Sequence, residues 1–149
     1  GARSPAVEET GLVTTVTVPD LELVNEVVRP SPHGMFLSQD GKNLYVTNIA
    51  GGGEMAVDVF DAATGDLRAD CPSVTTDFPI PHNPTVDFKG EKLYIAHSGG
   101  TSTMNSAFEI GSDGCLDPDS GMTFETNLNP FGLLVLPAAE DLLQCANTE

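Results

Sequence analysis

The chain has 149 residues and carries 22 Asp plus Glu against 6 Lys plus Arg, which gives a formal net charge of −16. The acidic residues are spread along the chain, and a field of this sign repels nucleic acid and anionic membranes, whose binding needs clustered basic residues. The charge therefore predicts no nucleic-acid partner. Because no run of about 18 apolar residues occurs, the sequence predicts no membrane span.

Two β-rich runs come first in chain order, at residues 11–19 and 22–29. Both contain several valines, and β-branched residues are enriched in strands. We therefore interpret residues 1–31 as a pair of antiparallel strands.

Residues 32–80 form the first complete unit, in which β-rich runs alternate with turn signals. Its predicted parts are, in order, a strand at Gly34–Ser38, a hairpin turn at Gln39–Lys42, a strand at Asn43–Asn48, a strand at Met55–Phe60, a turn at Asp61–Gly65 and an outer strand beginning near Leu67. Glycine within a short polar cluster is typical of a tight turn between antiparallel strands. The unit is thus predicted to contain four strands.

The strand at residues 43–48 indicates how the unit is packed. Leu44 and Val46 form one alternating set, and Tyr45 and Thr47 form the other. Both sets are apolar or small, whereas a sheet with one face in water alternates apolar with polar residues. This sheet is therefore predicted to be covered on both faces.

The same pattern returns 49 residues later, in residues 81–129. An ungapped overlay of residues 32–67 on 81–116 gives these identities: Pro32/Pro81, His33/His82, Gly41/Gly90, Leu44/Leu93, Tyr45/Tyr94, Gly51/Gly100, Met55/Met104, Gly65/Gly114 and Leu67/Leu116. Only about two identities are expected by chance, and a period in this range indicates a repeat architecture.

A third, shortened copy spans residues 130–149. It keeps Pro130, Gly132 and Leu142 but has Phe131 in place of the histidine. Residues 137–145 have good helix formers, yet their alignment with the earlier units favours a turn and a strand. We predict strands at 132–136 and 141–146.

Residues 40–48 and 57–65, with the sequences DGKNLYVTN and VDVFDAATG, resemble the blade motif of the YVTN-type β-propellers. Such proteins are similar in architecture to seven-bladed lactonase-like propellers and to the propellers of nitrous oxide reductase and quinoprotein amine dehydrogenases. The resemblance implies an all-β fold of four-stranded antiparallel blades. The motif identifies a fold rather than an activity, because one fold hosts many functions.

In propeller terms, the chain holds a half blade (1–31), two blades (32–80 and 81–129) and a half blade (130–149). Rings usually close with four to eight blades, so about three blades do not close alone. Open half blades would leave unpaired strand edges, which natural proteins avoid. We therefore expect a second copy of the chain or another propeller chain to complete the ring.

His33 and His82 are the candidate site residues. Both begin the innermost strand of a blade, so they are expected near the central axis at one end of the ring. Neutral imidazoles could hold a metal, and the resemblance to copper-carrying propellers implies copper. The lactonase-like resemblance instead implies acid–base catalysis by the same pair. A hydrogen bond from each ring to the backbone of the adjacent blade is the simplest alternative.

The three cysteines, Cys71, Cys115 and Cys145, have no CxxC spacing. Cys71 follows the outer turn of one blade and Cys115 lies in the same turn of the next, so these two could form a disulfide or remain two thiols. A disulfide would indicate an oxidising compartment. Cys145 takes the position of Thr47 and is predicted to be a small buried side chain, or else the site of an interchain bond.

Two weaker sites complete the candidates. The loop of residues 112–120 contains three aspartates and could bind calcium, but it lacks the spacing and the closing glutamate of an EF-hand. An ordinary acidic turn is the favoured interpretation. His97 replaces Asn48 at a strand end, where we expect it to act as a polar cap.

Two classes of function remain open. The first is a secreted or surface propeller, extracellular or periplasmic, that binds a ligand or protein partner through loops around its channel. The second is a channel-mouth enzyme of lactonase or cyclase type, or a copper-binding propeller, that uses His33 and His82. The spread acidic charge fits a solvated extracellular surface.

Overall fold

The structure, a computed structural model, describes residues 10–49, 56–78, 80–99 and 102–136. The strands in these ranges are β1 (Thr10–Val16), β2 (Leu23–Pro30), β3 (Pro32–Leu37), β4 (Asn43–Asn48), β5 (Val57–Asp61), β6 (Pro81–Val86), β7 (Lys92–His97), β8 (Met104–Glu109) and β9 (Met122–Glu125). They form three antiparallel sheets in the orders β1-β2, β3-β4-β5 and β6-β7-β8-β9. The predicted all-β class is confirmed. None of the described residues forms a helix long and apolar enough to cross a membrane.

The first sheet is the hairpin β1-β2, in which Leu12 lies opposite Val28 and Val13 opposite Val27. Successive side chains of a strand point to opposite faces, so one face of the hairpin carries Val13 and Val27 and the other carries Leu12 and Val28. Val13 is buried, whereas Leu12 and Val28 are 53% and 61% exposed. Only one face of this sheet is covered by the rest of the described chain.

The second sheet, β3-β4-β5, follows the predicted strands closely up to its outer edge. Gly41 has a φ of 72° in the turn between β3 and β4, which explains why glycine occurs there. The predicted fourth strand near Leu67 is wrong as a strand, because only the isolated bridges Phe60↔Leu67 and Val57↔Val74 form. Between the bridges the chain turns at Cys71, whose N–H bonds to the Arg68 carbonyl at 3.2 Å, and Pro72 has no N–H to add to a ladder.

The third sheet has four strands, as predicted, but its outer strand β9 begins at Met122, whereas Leu116, the counterpart of Leu67, forms only an isolated bridge with Ile110. The third sheet is also not related to the second by a uniform spacing. Val46 lies opposite Asp58, and Ile95 lies opposite Ser106. The first members are 95 − 46 = 49 residues apart, and the second members are 106 − 58 = 48 apart. The connection between the second and third strands is therefore one residue shorter in the second unit. Along β8, the ungapped overlay is therefore wrong by one residue, and Ser106, not Ala107, corresponds to Asp58.

Two apolar cores separate the three sheets. The core between the first and second sheets contains Val13, Val27, Val46 and Phe60. The larger core between the second and third sheets contains Tyr45, Val57, Val59, Leu93, Ile95 and Phe108. The second sheet is thus covered on both faces, as its strand pattern predicts. Each fully buried large apolar side chain contributes about 1.5–3 kcal/mol, so these cores hold the sheets face to face.

Residues 131–136 continue the stack on the free face of the third sheet. The strand predicted at 132–136 makes no ladder with the described residues, although its side chains alternate in exposure. Leu133 and Val135 are half-buried, whereas Leu134 and Leu136 are 80% and 72% exposed. The strand predicted at 141–146, the choice between helix and strand at 137–145, and Cys145 lie outside the described residues.

Candidate functional site

The first residues of β3 and β6 bring His33 and His82 into contact. The Nε2 atoms are 2.7 Å apart, and the ring centroids are 3.9 Å apart at an interplanar angle of 70°. At this distance one ring donates an N–H and the other accepts it. The structure therefore places the two candidate site residues together, from neighbouring sheets.

Phe131 extends this pair into a row. Its ring centroid lies 4.9 Å from that of His82 in an edge-to-face arrangement, and the side-chain amide of Asn83 donates to the Phe131 carbonyl at 2.6 Å. We call His33, His82 and Phe131 the inner row, since each follows the proline that begins its repeat. The sequence repeat at these positions corresponds to a physical row of rings.

The environment of the pair favours a neutral His82. Burial lowers the pKa of His82, the neighbouring His33 lowers it further, and the Phe131 carbonyl partly offsets both effects. His33 is exposed and His82 is half-buried. Neutral imidazole carries a nitrogen lone pair, so His82 is suited to accept a hydrogen bond or to bind a metal ion.

Thr47 links β3 to β6 and so holds His33 and His82 in contact. Its hydroxyl donates to the His82 carbonyl at 2.5 Å and accepts a bond from the Gly34 N–H at 2.9 Å. The hydroxyl is fully buried with its residue, so both bonds are shielded from water. A Cβ on Gly34 would overlap the His82 carbonyl oxygen. Glycine at 34 and threonine at 47 therefore allow β3 and β6 to lie side by side.

A buried carboxylate, Asp58 on β5, is a feature that the sequence analysis missed. Arg29 of β2 binds it through two bonds, from Nε at 2.5 Å and from Nη2 at 2.7 Å. Asn48 donates at 2.7 Å and Ser73 at 2.5 Å. The carboxylate is fully buried, so the guanidinium balances its charge. The sequence did contain a signal for this pair. Asp58 lies between two valines in a strand of a sheet predicted to be covered on both faces, and a buried carboxylate there needs a cation partner.

His97 occupies the place of Asn48 in the next unit. It is fully buried, its Nε2 lies 2.9 Å from the Ser106 hydroxyl, and its ring packs against Phe78 at 5.7 Å. Asn48 with Asp58 and His97 with Ser106 are thus equivalent pairs. The ring lies inside the stack, apart from the inner row, and it bonds to the neighbouring strand.

Cys71 and Cys115 form a disulfide whose Cα atoms are 5.1 Å apart. Both residues are buried, and the bond joins the outer edge of the second sheet to the outer turn of the third. Asp70, Cys71 and Cys115 have three possible metal-ligand atoms close together. Because the sulfurs are bonded to each other, they are not available as thiolate ligands.

The aspartates of the loop at 112–120 are used within their own turns. Asp113 accepts from the Cys115 N–H at 3.0 Å, and Asp117 accepts from the Asp119 N–H at 2.9 Å. Among the described residues of this loop, no three acidic ligands converge. The geometry is that of an acidic turn with a short 3₁₀ segment at Pro118–Ser120.

A cleft of about 560 Å³ lies between the turns of the second and third sheets, at the ends of β3 and β6 that are opposite to the inner row. Tyr45 forms its floor and donates its hydroxyl to the Gly114 carbonyl at 3.0 Å. Burial, reinforced by the charge of Asp40, raises the pKa of Tyr45 to about 12, so the phenol stays protonated. Charges of both signs, from Lys42, Asp40 and Glu91, line the rim.

Comparison with known proteins supports the architecture. No family model matches the sequence, and no curated protein matches it. One similar solved structure is hydrazine synthase of Kuenenia stuttgartiensis, with 20% identity and a TM-score of 0.56 over 76% of this chain and 31% of that chain. That structure has a β-propeller-like fold. The chain thus spans about a third of the protein it matches, and the likeness concerns the fold alone.

Proposed function

We propose that this chain is part of a YVTN-type β-propeller, completed by another chain, whose function is to bind a ligand or protein partner at the mouth of its central channel. The observation that carries the proposal is the inner row. Three successive repeats place a ring at the same repeat position, and neighbouring rings are in contact. Rings that converge beside exposed polar groups offer an apolar surface with hydrogen-bonding atoms, which is typical of ligand sites.

A secreted or surface setting belongs to the same proposal. The disulfide between Cys71 and Cys115 supports it, since disulfides persist in oxidising compartments. A formal charge of −16 keeps such a protein soluble and apart from nucleic acid.

Ligand-observed NMR with a panel of small aromatic and polar fragments tests the binding function. We expect some fragments to show saturation transfer from the native protein and to lose it when His33 and His82 are both replaced by alanine. Phe88→Ala is the matched control, because Phe88 is an exposed aromatic residue in the turn at the opposite strand ends. Fragment signals that survive the double substitution, or an absence of signals from the native protein, would contradict the proposal.

A metal-binding role for His33 and His82, with copper as the ion, is the second candidate. The contact between their Nε2 atoms at 2.7 Å supports it, because both nitrogens face one point, where a metal ion would take the place of the proton between them. The described residues supply two imidazoles there, and a site of this kind needs further ligands from solvent or from the completing chain. In the enzyme version, the same two rings act as acid and base on a substrate in the channel mouth.

Copper titration separates this second candidate from simple binding. We expect one equivalent to bind per inner row, and we expect binding to fall at least about tenfold in His33→Ala and in His82→Ala. His97→Asn is the control, since it removes the buried third histidine and restores the residue of the first unit. Equal affinity in all three variants would exclude the inner row as the site.

A further inference from the structure

We propose that a second copy of this chain completes the ring, and that it docks head to tail on two specific open faces. The amino flank is the uncovered face of β1-β2, which carries Leu12, Val28 and Val24. The carboxyl flank is the free face of the third sheet, formed by Tyr94, Met122 and Phe124 with the segment at 131–136. This inference rests on the proposed propeller architecture and names its partner.

Among the described residues, no strand beside β1 corresponds to β3 and β4, the inner two strands of the second sheet. In the complete units the third strands, β5 and β8, pair with β4 and β7, whereas β1 pairs only with β2 among the described residues. The uncovered face is apolar, because Leu12 and Val28 lie directly opposite each other and Val24 is 45% exposed. An unpaired edge beside an exposed apolar face is an attachment site for strands.

The carboxyl flank contains a segment in the inner-strand position, for which the described amino flank has no counterpart. Phe131 packs on His82 as His82 packs on His33, so residues 131–136 occupy the inner-strand position of a next blade. No described strand covers their outer side, where Leu134 and Leu136 are exposed. A groove of about 320 Å³ remains between this segment, Tyr94 and Phe124.

Charge permits these faces to meet despite the net charge of −16. The amino flank carries a single acidic side chain on its apolar face, Glu26, which accepts a bond from Thr14 at 3.4 Å. On the carboxyl flank, Lys92 and Glu109 form an ion pair at 3.7 Å. The acidic surface thus spares both flanks, and contact between them adds little repulsion.

A second copy of this chain is the one partner that fits both the amino flank and the carboxyl flank. The inner strands that have no counterpart beside the described β1 correspond in repeat position to residues 131–136 at the other end of the same chain. A head-to-tail contact of this kind forms a ring when the rotation closes. Two copies with about three blades each give about six, within the usual range for propellers.

Molar mass in solution is the first test. We expect twice the chain mass of 15.6 kDa for the native protein and the single-chain mass for Val28→Lys and Leu12→Lys at the same concentration. Both side chains are exposed within one chain, so the substitutions leave its own fold intact, which circular dichroism checks. Phe88→Lys adds the same charge to an exposed turn and is expected to remain dimeric.

Cysteine cross-linking then tests the head-to-tail arrangement. Val24 and Met122 both lie on outermost strands and are 45% and 44% exposed. In a Cys145→Ser background, we expect a mixture of Val24→Cys and Met122→Cys chains to form a disulfide-linked dimer, and each variant alone to form none. Cross-linking of Val24→Cys with itself would overturn the arrangement, because it indicates a back-to-back pair.

The two proposals fail in different ways. A monomeric native protein that still binds fragments at the inner row would overturn the second copy and keep the binding function. A dimer that dissociates on Val28→Lys but binds nothing at the inner row would keep the second copy and overturn the binding function.

Discussion

At the scale of single residues, Asp58 shows how one buried charge is tolerated between two sheets. Its carboxylate accepts hydrogen bonds from Arg29, Asn48 and Ser73, and so none of its charge faces an apolar surface alone. Arg29 is also nearly buried, with 14% of its side chain exposed. Because β2 and β5 belong to different sheets, the ion pair fixes how the first hairpin sits on the second sheet.

Replacing Asp58 with alanine is expected to destabilise the fold by roughly 3–5 kcal/mol, because the guanidinium of Arg29 would stay buried without a counter-charge. Urea unfolding measures this loss. The double variant Asp58→Ala with Arg29→Leu is expected to recover part of it, since it removes the stranded charge. Lys42→Ala is the control: the Asp40–Lys42 pair is exposed, and its loss should change the unfolding midpoint little. A similar midpoint for Asp58→Ala and Lys42→Ala would contradict this account.

The shared proton of the inner row predicts a dependence on pH. The pKa of His82 in the folded chain lies below its ordinary value of 6.5. His82 therefore takes up protons more readily when unfolded, and its contribution to stability is complete above pH 6.5 and is lost as the pH falls toward its folded pKa. Three carboxyls, those of Asp40, Asp61 and Asp70, have lowered pKa values and titrate below this window.

We expect the free energy of unfolding to decrease between about pH 7 and about pH 5, and the decrease to be smaller in His82→Phe, which copies the residue of the third repeat. Urea unfolding at the two pH values gives the difference. NMR titration of the His82 ring protons should give a midpoint below 6.5. An equal decrease in both proteins would show that the imidazole pair is not responsible.

At the scale of elements, the sequence predicted strands best where turn chemistry and strand pattern agree. Residues 43–48 form β4 as predicted, since Gly41 ends the preceding turn and both faces of the strand are apolar. The outer edge of the first unit was not predictable from repetition, because Cys71 and Pro72 replace ladder positions there. The one-residue displacement at Ser106 was also hidden, since the spacing of 49 residues is restored at the next equivalent glycines, Gly65 and Gly114.

The candidate site was predicted in part for the same reason. Repetition placed His33 and His82 at equivalent strand ends, and their contact follows once the two sheets pack together. The Arg29–Asp58 pair joins residues of different repeat positions, so no periodicity connects them. Long-range pairs of this kind depend on the packing of sheets rather than on local pattern.

The disulfide is the element that joins the outer edges of the second and third sheets. It closes a loop with a sequence separation of 44 residues, and removing a cross-link of this size costs roughly 2–5 kcal/mol. We expect the Cys71→Ala, Cys115→Ala double variant to melt between about 4 and 20 °C lower than the native protein. Cys145→Ala should retain the disulfide, as peptide mapping without reduction would reveal. An unchanged melting temperature in the double variant would contradict a stabilising role.

At the scale of the whole molecule, the charge of −16 opposes both folding and association. Screening weakens repulsion between exposed carboxylates but hardly affects the buried Arg29–Asp58 pair. Raising NaCl from about 10 mM to about 0.3 M should therefore raise the melting temperature and strengthen the proposed dimer. Differential scanning calorimetry and sedimentation measure the two effects. A fall in melting temperature with salt would show that exposed ion pairs outweigh the repulsion.

The absent side chain at Gly34 has a consequence for the size of the proposed propeller ring. In such a ring, the angle between neighbouring sheets depends on how close their inner edges lie relative to their outer edges. A methyl group at position 34 would push the His82 carbonyl away, and the angle between the second and third sheets would decrease. A smaller angle between neighbouring sheets requires more sheets for a full turn, so the circumference of the proposed ring would depend on one hydrogen atom where other residues carry carbon.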